Sequence, residues 1–291
     1  MITTLHTLLK KAERGRYAIP AFNVTNLETI QAVLRAAAML KSPVIIQTSE
    51  AAIAYAGHAT ILSMMQSVAA DIAPRIPVVT HIDHGKHFPV VAESIRLGYT
   101  SVHMDASEKK WAANIALTRK AVVAGHRRGI TVQGELGYLL GYEGMTKIRF
   151  DRAKLQQIMT DPDKAHEFVR RTGVDTLAIA VGTAHGSFKG KEIIDFQRLQ
   201  KIKANVSVPL VLHGGSGVAP AQIRKAISMG IRIINLDTTL RLPFLNGLQK
   251  SFETYNPKAH VDIREHLSAA RLTMEREASR LIELLGSAHK A

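Results

Sequence analysis

The chain has 291 residues, 46% of them hydrophobic, and a formal net charge of +14. It has no cysteine, which excludes disulfides, thiolate metal ligation and cysteine nucleophiles and suits a reducing compartment. No apolar run is long enough to span a bilayer, and the amino terminus lacks the charged-then-apolar layout of a signal peptide, so a soluble cytoplasmic protein is expected. The basic residues are dispersed over helical patterns, as in Lys109-Lys110, Arg127-Arg128 and Arg170-Arg171, and aromatic residues make up only 5%. Solvated helix faces account for that charge better than a nucleic-acid surface does.

Strand-like and helix-like segments alternate from end to end. A predicted strand over Ala18–Phe22 precedes a helix over Leu27–Leu40, and Val44–Thr48 precedes Ile61–Ile72. The pattern repeats with Val78–Ile82 and Val90–Leu97, Ser101–Met104 and Ala112–Arg128, and Thr131–Gly134 and Lys164–Arg171. It continues with Thr176–Val181 and Phe196–Ile202, then Leu210–Leu212 and Ala221–Met229, and ends at Ile231–Leu236 with a tail helix around Ile263–Leu285. Short runs rich in Val, Ile and Leu that stop at Gly and polar residues read as buried parallel strands. Eight strand–helix units predict an α/β fold, a (β/α)8 TIM barrel, with its chemistry on the loops after the strands. No linker or low-complexity tract divides residues 1–291, so a single domain with a helical tail is expected. A doubly wound open sheet is the alternative, and its ligand groups would gather at one switch point.

The predicted strand ends carry Asn23, Ser49, Asp83 with His84, Asp105, Glu135, Gly182 with His185, His213-Gly214-Gly215, and Asn235 with Asp237. Each can bind metal, proton or phosphate. Imidazoles of His84, His185 and His213 raised to one end of a barrel can converge on one ion, and three nitrogen ligands with an open position describe a catalytic metal site. Zinc suits that set best, with cobalt or iron as substitutes. His81 stands two residues before Asp83, on the same face, and is expected to support by hydrogen bonding. Asp105 and Glu135 are candidates for orienting the imidazoles or for a second metal site, and Asp105 is also placed to cap a helix.

Gly214-Gly215-Ser216-Gly217 and Asn235-Leu236-Asp237-Thr238 follow the seventh and eighth strands, where barrels often hold phosphate through backbone N–H groups. Lys189 is placed to add charge. The glycine-punctuated stretch from Gly137 to Met145 reads either as a lid carrying Glu143 or as a passive loop.

From Tyr17-Ala18-Ile19-Pro20-Ala21-Phe22-Asn23 through His81-Ile82-Asp83-His84-Gly85 and Gly182-Thr183-Ala184-His185-Gly186 to Leu212-His213-Gly214-Gly215-Ser216-Gly217, the sequence resembles the class II, metal-dependent fructose-bisphosphate aldolases, including their tagatose-bisphosphate branch. The resemblance spans nearly the whole chain. It implies reversible cleavage of fructose 1,6-bisphosphate to dihydroxyacetone phosphate and glyceraldehyde 3-phosphate through a zinc-stabilised enediolate. It also implies that His84, His185 and His213 hold the zinc, that Asp83 exchanges the proton on the hydroxyl next to the breaking bond, and that Glu143 serves the dihydroxyacetone phosphate carbon. Asp105 and Glu135 match positions for a second divalent ion, and a monovalent cation is a further implied cofactor. Gly182, Lys189, Gly214, Ser216, Asn235 and Thr238 match the phosphate cradle, while Asn23 and Ser49 line the substrate. Asp237 and Arg241 match fructose-type members.

The implied partners are a phosphorylated sugar and further copies of the chain, as a homodimer or homotetramer, with neither membrane nor nucleic acid. Departures from the usual pattern fall at the bulky lid Tyr138–Met145, at Gln133-Gly134 and at Thr239, which stands where an acidic residue is frequent. An aldolase for tagatose bisphosphate or another phosphorylated ketose is the alternative within this fold. A basic nucleic-acid-binding barrel is the alternative from another class, and the metal and proton-transfer residues speak against it.

Overall fold

The computed structural model describes residues 1–139, 141, 152–184, 193–253, 255–256 and 261–291. Its strands are β1 (Ile19–Asn23), β2 (Val44–Ser49), β3 (Val78–Gly85), β4 (Ser101–Met104), β5 (Thr131–Leu136), β6 (Thr176–Ile179), β7 (Leu210–Leu212) and β8 (Ile231–Leu236). They close into a barrel in chain order, and each neighbouring pair is parallel, β8 returning to β1. The ring is the (β/α)8 fold expected from the alternating pattern. Apart from His84 the strand residues are all buried, so the strands read as apolar runs and not as the alternation of a one-sided sheet.

Helices α1 (Leu5–Gly15), α2 (Leu27–Met39), α3 (Glu50–Ala56), α4 (His58–Ile72), α5 (Phe88–Leu97) and α6 (Trp111–His126) belong to the first half. The second half holds α7 (Arg152–Ile158), α8 (Pro162–Thr172), α9 (Phe196–Asn205), α10 (Pro220–Ser228), α11 (Thr238–Glu253) and α12 (Ile263–Leu284). Local signals set many of the starts. Asn26 and Thr29 form a capping box on α2, and proline stands in the first turn of α5, α8 and α10. The tail helix α12 packs along α11 and α2, and the chain after it bonds back to Ala18 and Leu40. No described helix is long and apolar enough to cross a membrane.

Alternation sends every second strand residue into the barrel. In the lower half these are Ile19, Ala21, Ile45, Val79, Ala178, Val211 and Ile233, packed against Leu5, Leu8, Leu9 and Ala12 of α1. The helix α1 thus plugs the amino-terminal mouth. Outward residues such as Phe22, Ile46, Ile82, Val102 and Leu177 meet the surrounding helices. Higher up, the inward positions turn polar while staying buried: Asn23, Gln47, His81, Asp83, His103, Asp105, Gln133, Glu135, His213 and Asn235.

Candidate active site

The carboxyl ends of the strands surround a cavity of about 220 Å³. Asn23, Ser49, Asp83, His84, Asp105, Glu135, His213, Gly214, Ser216, Asn235, Asp237 and Thr238 all line it.

At its floor, His84 Nε2 and His213 Nδ1 face each other at 2.9 Å. The remaining nitrogen of each ring is already engaged, His84 Nδ1 with Asp105 Oδ2 at 2.7 Å and His213 Nε2 with the Gln133 amide at 2.9 Å. Orienting a ring through its second nitrogen is how proteins aim a ligand imidazole. Asp83 Oδ1 stands 4.0 Å from both facing nitrogens, so these three side chains form a group able to hold a metal ion. The electrostatics agree. Burial pulls the His84 imidazole down, but Asp83, Asp105 and Glu135 outweigh it and hold it up at about 10. A positive charge is what these carboxylates select at this point, and the nitrogen-rich donor set fits a transition metal.

Asp83 is itself held from two sides. Asn23 Nδ2 donates to its Oδ2 at 2.9 Å and Asn235 Nδ2 to its Oδ1 at 3.0 Å. Gln47 Nε2 donates to Asn23 Oδ1 at 2.7 Å, which fixes the way the Asn23 amide faces. The carboxylate is therefore locked in place beside the two imidazoles.

Behind His84 lies a second group able to hold a metal, made of His84, His103, Asp105 and Glu135. Burial would raise the Asp105 carboxyl, yet the hydrogen bond and charge of His84 hold it well below the usual range. Its other oxygen accepts from the Ser107 backbone at 3.1 Å and hydroxyl at 2.6 Å, so it both orients His84 and organises the turn after β4. Burial, then Asp105, pushes the Glu135 carboxyl well above its usual range. His81 bonds Ser101 Oγ through Nδ1 at 2.8 Å, and burial followed by the charge of His84 lowers it to about 3. His103 has no counterpart in the sequence reading, because it stands inside β4 and not at its end. Its spacing of two from Asp105 was the available signal, since it puts both on the inward face.

The loops after β7 and β8 meet beside this floor. Gly214 has φ 68, and a Cβ there would meet the Ala184 carbonyl oxygen at 2.4 Å, so glycine is required where the chain leaves His213. Ser216 and Thr239 clamp the two loops together. The Thr239 backbone donates to Ser216 Oγ at 3.3 Å, and its hydroxyl to the Ser216 carbonyl at 3.0 Å. Asp237 leads from β8 straight into α11, which begins at Thr238. The cavity therefore has a helix amino terminus on its wall, a ready anion site.

Ser49 accepts from the Ala52 backbone and caps α3. Arg241 pairs with Asp237 at 2.5 Å and lines a neighbouring cavity with Thr25, Asn26 and Tyr55. Gly182, with φ 109, packs against the Ile193 carbonyl. His185, Lys189, Glu143 and most of the candidate lid lie outside the described residues.

Comparison with known proteins agrees with this geometry. The family model described as class II fructose-bisphosphate aldolase matches residues 3–290. A fructose-bisphosphate aldolase from Thermus caldophilus is 38% identical, with 100% of each chain covered. The YdjI aldolase from Escherichia coli K12 has a similar structure, with a TM-score of 0.85, 33% identity and 100% of both chains covered. A putative fructose-1,6-biphosphate aldolase from Coccidioides immitis has a TM-score of 0.86 at 27% identity, covering 98% of this chain and 97% of that one. A match of this extent makes the chain a member of the class II fructose-bisphosphate aldolase family, and so a lyase acting on carbon–carbon bonds.

Proposed function

We propose that this protein cleaves fructose 1,6-bisphosphate reversibly into dihydroxyacetone phosphate and glyceraldehyde 3-phosphate, using a catalytic zinc ion. The observation that carries the reading is the convergence of His84 Nε2 and His213 Nδ1 beside a doubly anchored Asp83. His84 and His213 would hold the zinc, with His185 as the third ligand by the family pattern. Bound there, zinc supplies a Lewis acid for the carbon–carbon step, withdrawing charge from the ketose carbonyl.

The chain's own groups do the rest. Asp83, held by Asn23 and Asn235, takes the proton from the hydroxyl beside the breaking bond and returns it in synthesis. Asn23 and Ser49 line the sugar. Gly214, Ser216 and Thr238, with Asn235 nearby, offer backbone and hydroxyl donors to the ketose phosphate at the start of α11. By the family pattern Lys189 and Gly182 complete this cradle, and Glu143 handles the proton on the dihydroxyacetone phosphate carbon. Asp105 and Glu135 orient His84 and could take a second divalent ion. Arg241, steadied by Asp237, faces the neighbouring cavity where the far phosphate would lie. We read residues 1–291 as one domain working as a homodimer or homotetramer, in the cytoplasm where sugar phosphates are retained.

A second reading has the same chemistry on tagatose bisphosphate or another phosphorylated ketose. Aldol cleavage of both bisphosphates, with chelator and then zinc add-back, tests the proposal. Zinc-restored cleavage favouring fructose is the expected result. A preference for tagatose would overturn the substrate, and cleavage indifferent to the chelator would overturn the metal.

A further inference from the structure

The way β3 ends makes a demand on its neighbour. Its pairing with β4 slips between Ile82 and Gly85, and His84 sits in that slip with φ 45. The left-handed region costs a residue with a side chain about 1–2 kcal/mol, so something must hold it there. The backbone N–H of His84 is caught by a side chain, donating to His103 Nδ1 at 3.2 Å. His103 is completely buried, with its ring 5.1 Å from that of His84 and 5.3 Å from that of His213. Among the described residues its other nitrogen, Nε2, has no hydrogen-bond partner, and it lies 3.4 Å from Glu135 Oε2, also buried and also without one.

His103 lies within reach of a metal-holding group, but its hydrogen bonding argues against ligation. Accepting a backbone N–H requires a lone pair on Nδ1, and a neutral imidazole then carries its proton on Nε2. A ligand nitrogen must offer a lone pair to the ion, which Nε2 lacks in that tautomer. The geometry points to His103 as a positioning residue for the metal centre: it holds the β3 bulge through the His84 backbone, aims Nε2–H at Glu135, and is not itself a ligand. Without it the bulge would leave a buried N–H bare and free His84 to turn away from His213. The inference rests on His84 being a metal ligand.

Two variants of the full chain separate the roles of the two nitrogens. In His103→Asn the side-chain amide stands where Nδ1 stands and keeps an acceptor for the His84 N–H. In His103→Gln the amide reaches the place of Nε2 and leaves that N–H bare. Zinc affinity is read by chelator competition on metal-stripped protein, and site geometry by the visible spectrum after cobalt(II) loading. His103→Asn is expected to bind zinc close to the parent, while His103→Gln loses roughly 10–100-fold and shifts the cobalt bands. The reverse order would mean that Nε2 is a ligand, and equal affinity in both variants and the parent would mean that His103 positions nothing. His84→Ala run beside them tests the underlying reading separately, because zinc retained in that variant would remove His84 from the ligand set.

Discussion

The two ends of the barrel interior are built from the same strands yet do opposite work. Near the amino-terminal mouth, Ile45, Val79, Val211 and Ile233 close on the leucines of α1. Two residues farther along the same strands stand Gln47, His81, His213 and Asn235. One step of strand alternation thus separates a hydrophobic plug from a ring of imidazoles, amides and carboxylates. The plug gains stability by removing apolar surface from water. The polar ring is buried as well, and it is tolerable because its members bond one another: Gln47 to Asn23, Asn23 and Asn235 to Asp83, Asp105 to His84, His81 to Ser101. What it leaves uncompensated is an excess of carboxylate, which a cation can satisfy.

If the two layers are separable, changes in one should spare the other. The largest effect is expected from Asp83→Ala, which should lower turnover by roughly 10²–10⁴-fold. Metal content should stay at the parent level, since His84 and His213 remain. Turnover and bound zinc measured on the same preparation check this, and full turnover would remove Asp83 from the chemistry. In the lower layer, Leu8→Ala should cost about 2–5 kcal/mol of stability by opening a cavity beneath the strands. Denaturant unfolding reads that loss, while zinc affinity should not change; a matching fall in affinity would show that the layers are coupled.

The smallest effect concerns acid. Burial keeps His81 neutral in the folded chain down to about 3, whereas its unfolded imidazole takes a proton near 6.5. In that window the unfolded chain binds more protons, so stability is complete above the upper value and drains away as pH falls. The loss from this group should reach about 2 kcal/mol at about pH 5. Urea unfolding of His81→Gln beside the parent, from neutral to mildly acid pH, should show a shallower decline in the variant. Parallel declines would mean that another group governs acid sensitivity.

Much of this was legible in the sequence. The eight strands read clearly because each is buried on both faces, and their polar terminators gave the rim of the cavity. Helices were lost where local signals ran against them. The α11 interior contains Pro243, an expected breaker; α3 is a seven-residue helix with only Ala52 buried; α1 lacks a side-chain cap at Thr4. The α1 plug could have been seen in Leu5, Leu8, Leu9 and Ala12, which share one helical face, but it precedes the first strand and stands outside the repeating pattern. At the site, residues on strand ends were found, and His81 inside β3 with them, but the roles of the other polar residues within strands were not. His103, Gln47 and Gln133 act from inside β4, β2 and β5, where a polar residue is masked by apolar neighbours. The bulge at His84 and the clamp between Ser216 and Thr239 depend on pairing across strands and loops distant in sequence, which no local pattern carries.

The most direct test of the account is to locate the metal. Anomalous diffraction at the zinc edge, from crystals of the zinc-loaded protein, should give one strong peak between His84 and His213 at about 2.0–2.1 Å from His84 Nε2 and His213 Nδ1. A barrel interior with no peak, and zinc found instead on a surface pair such as His87 and Glu50, would contradict it.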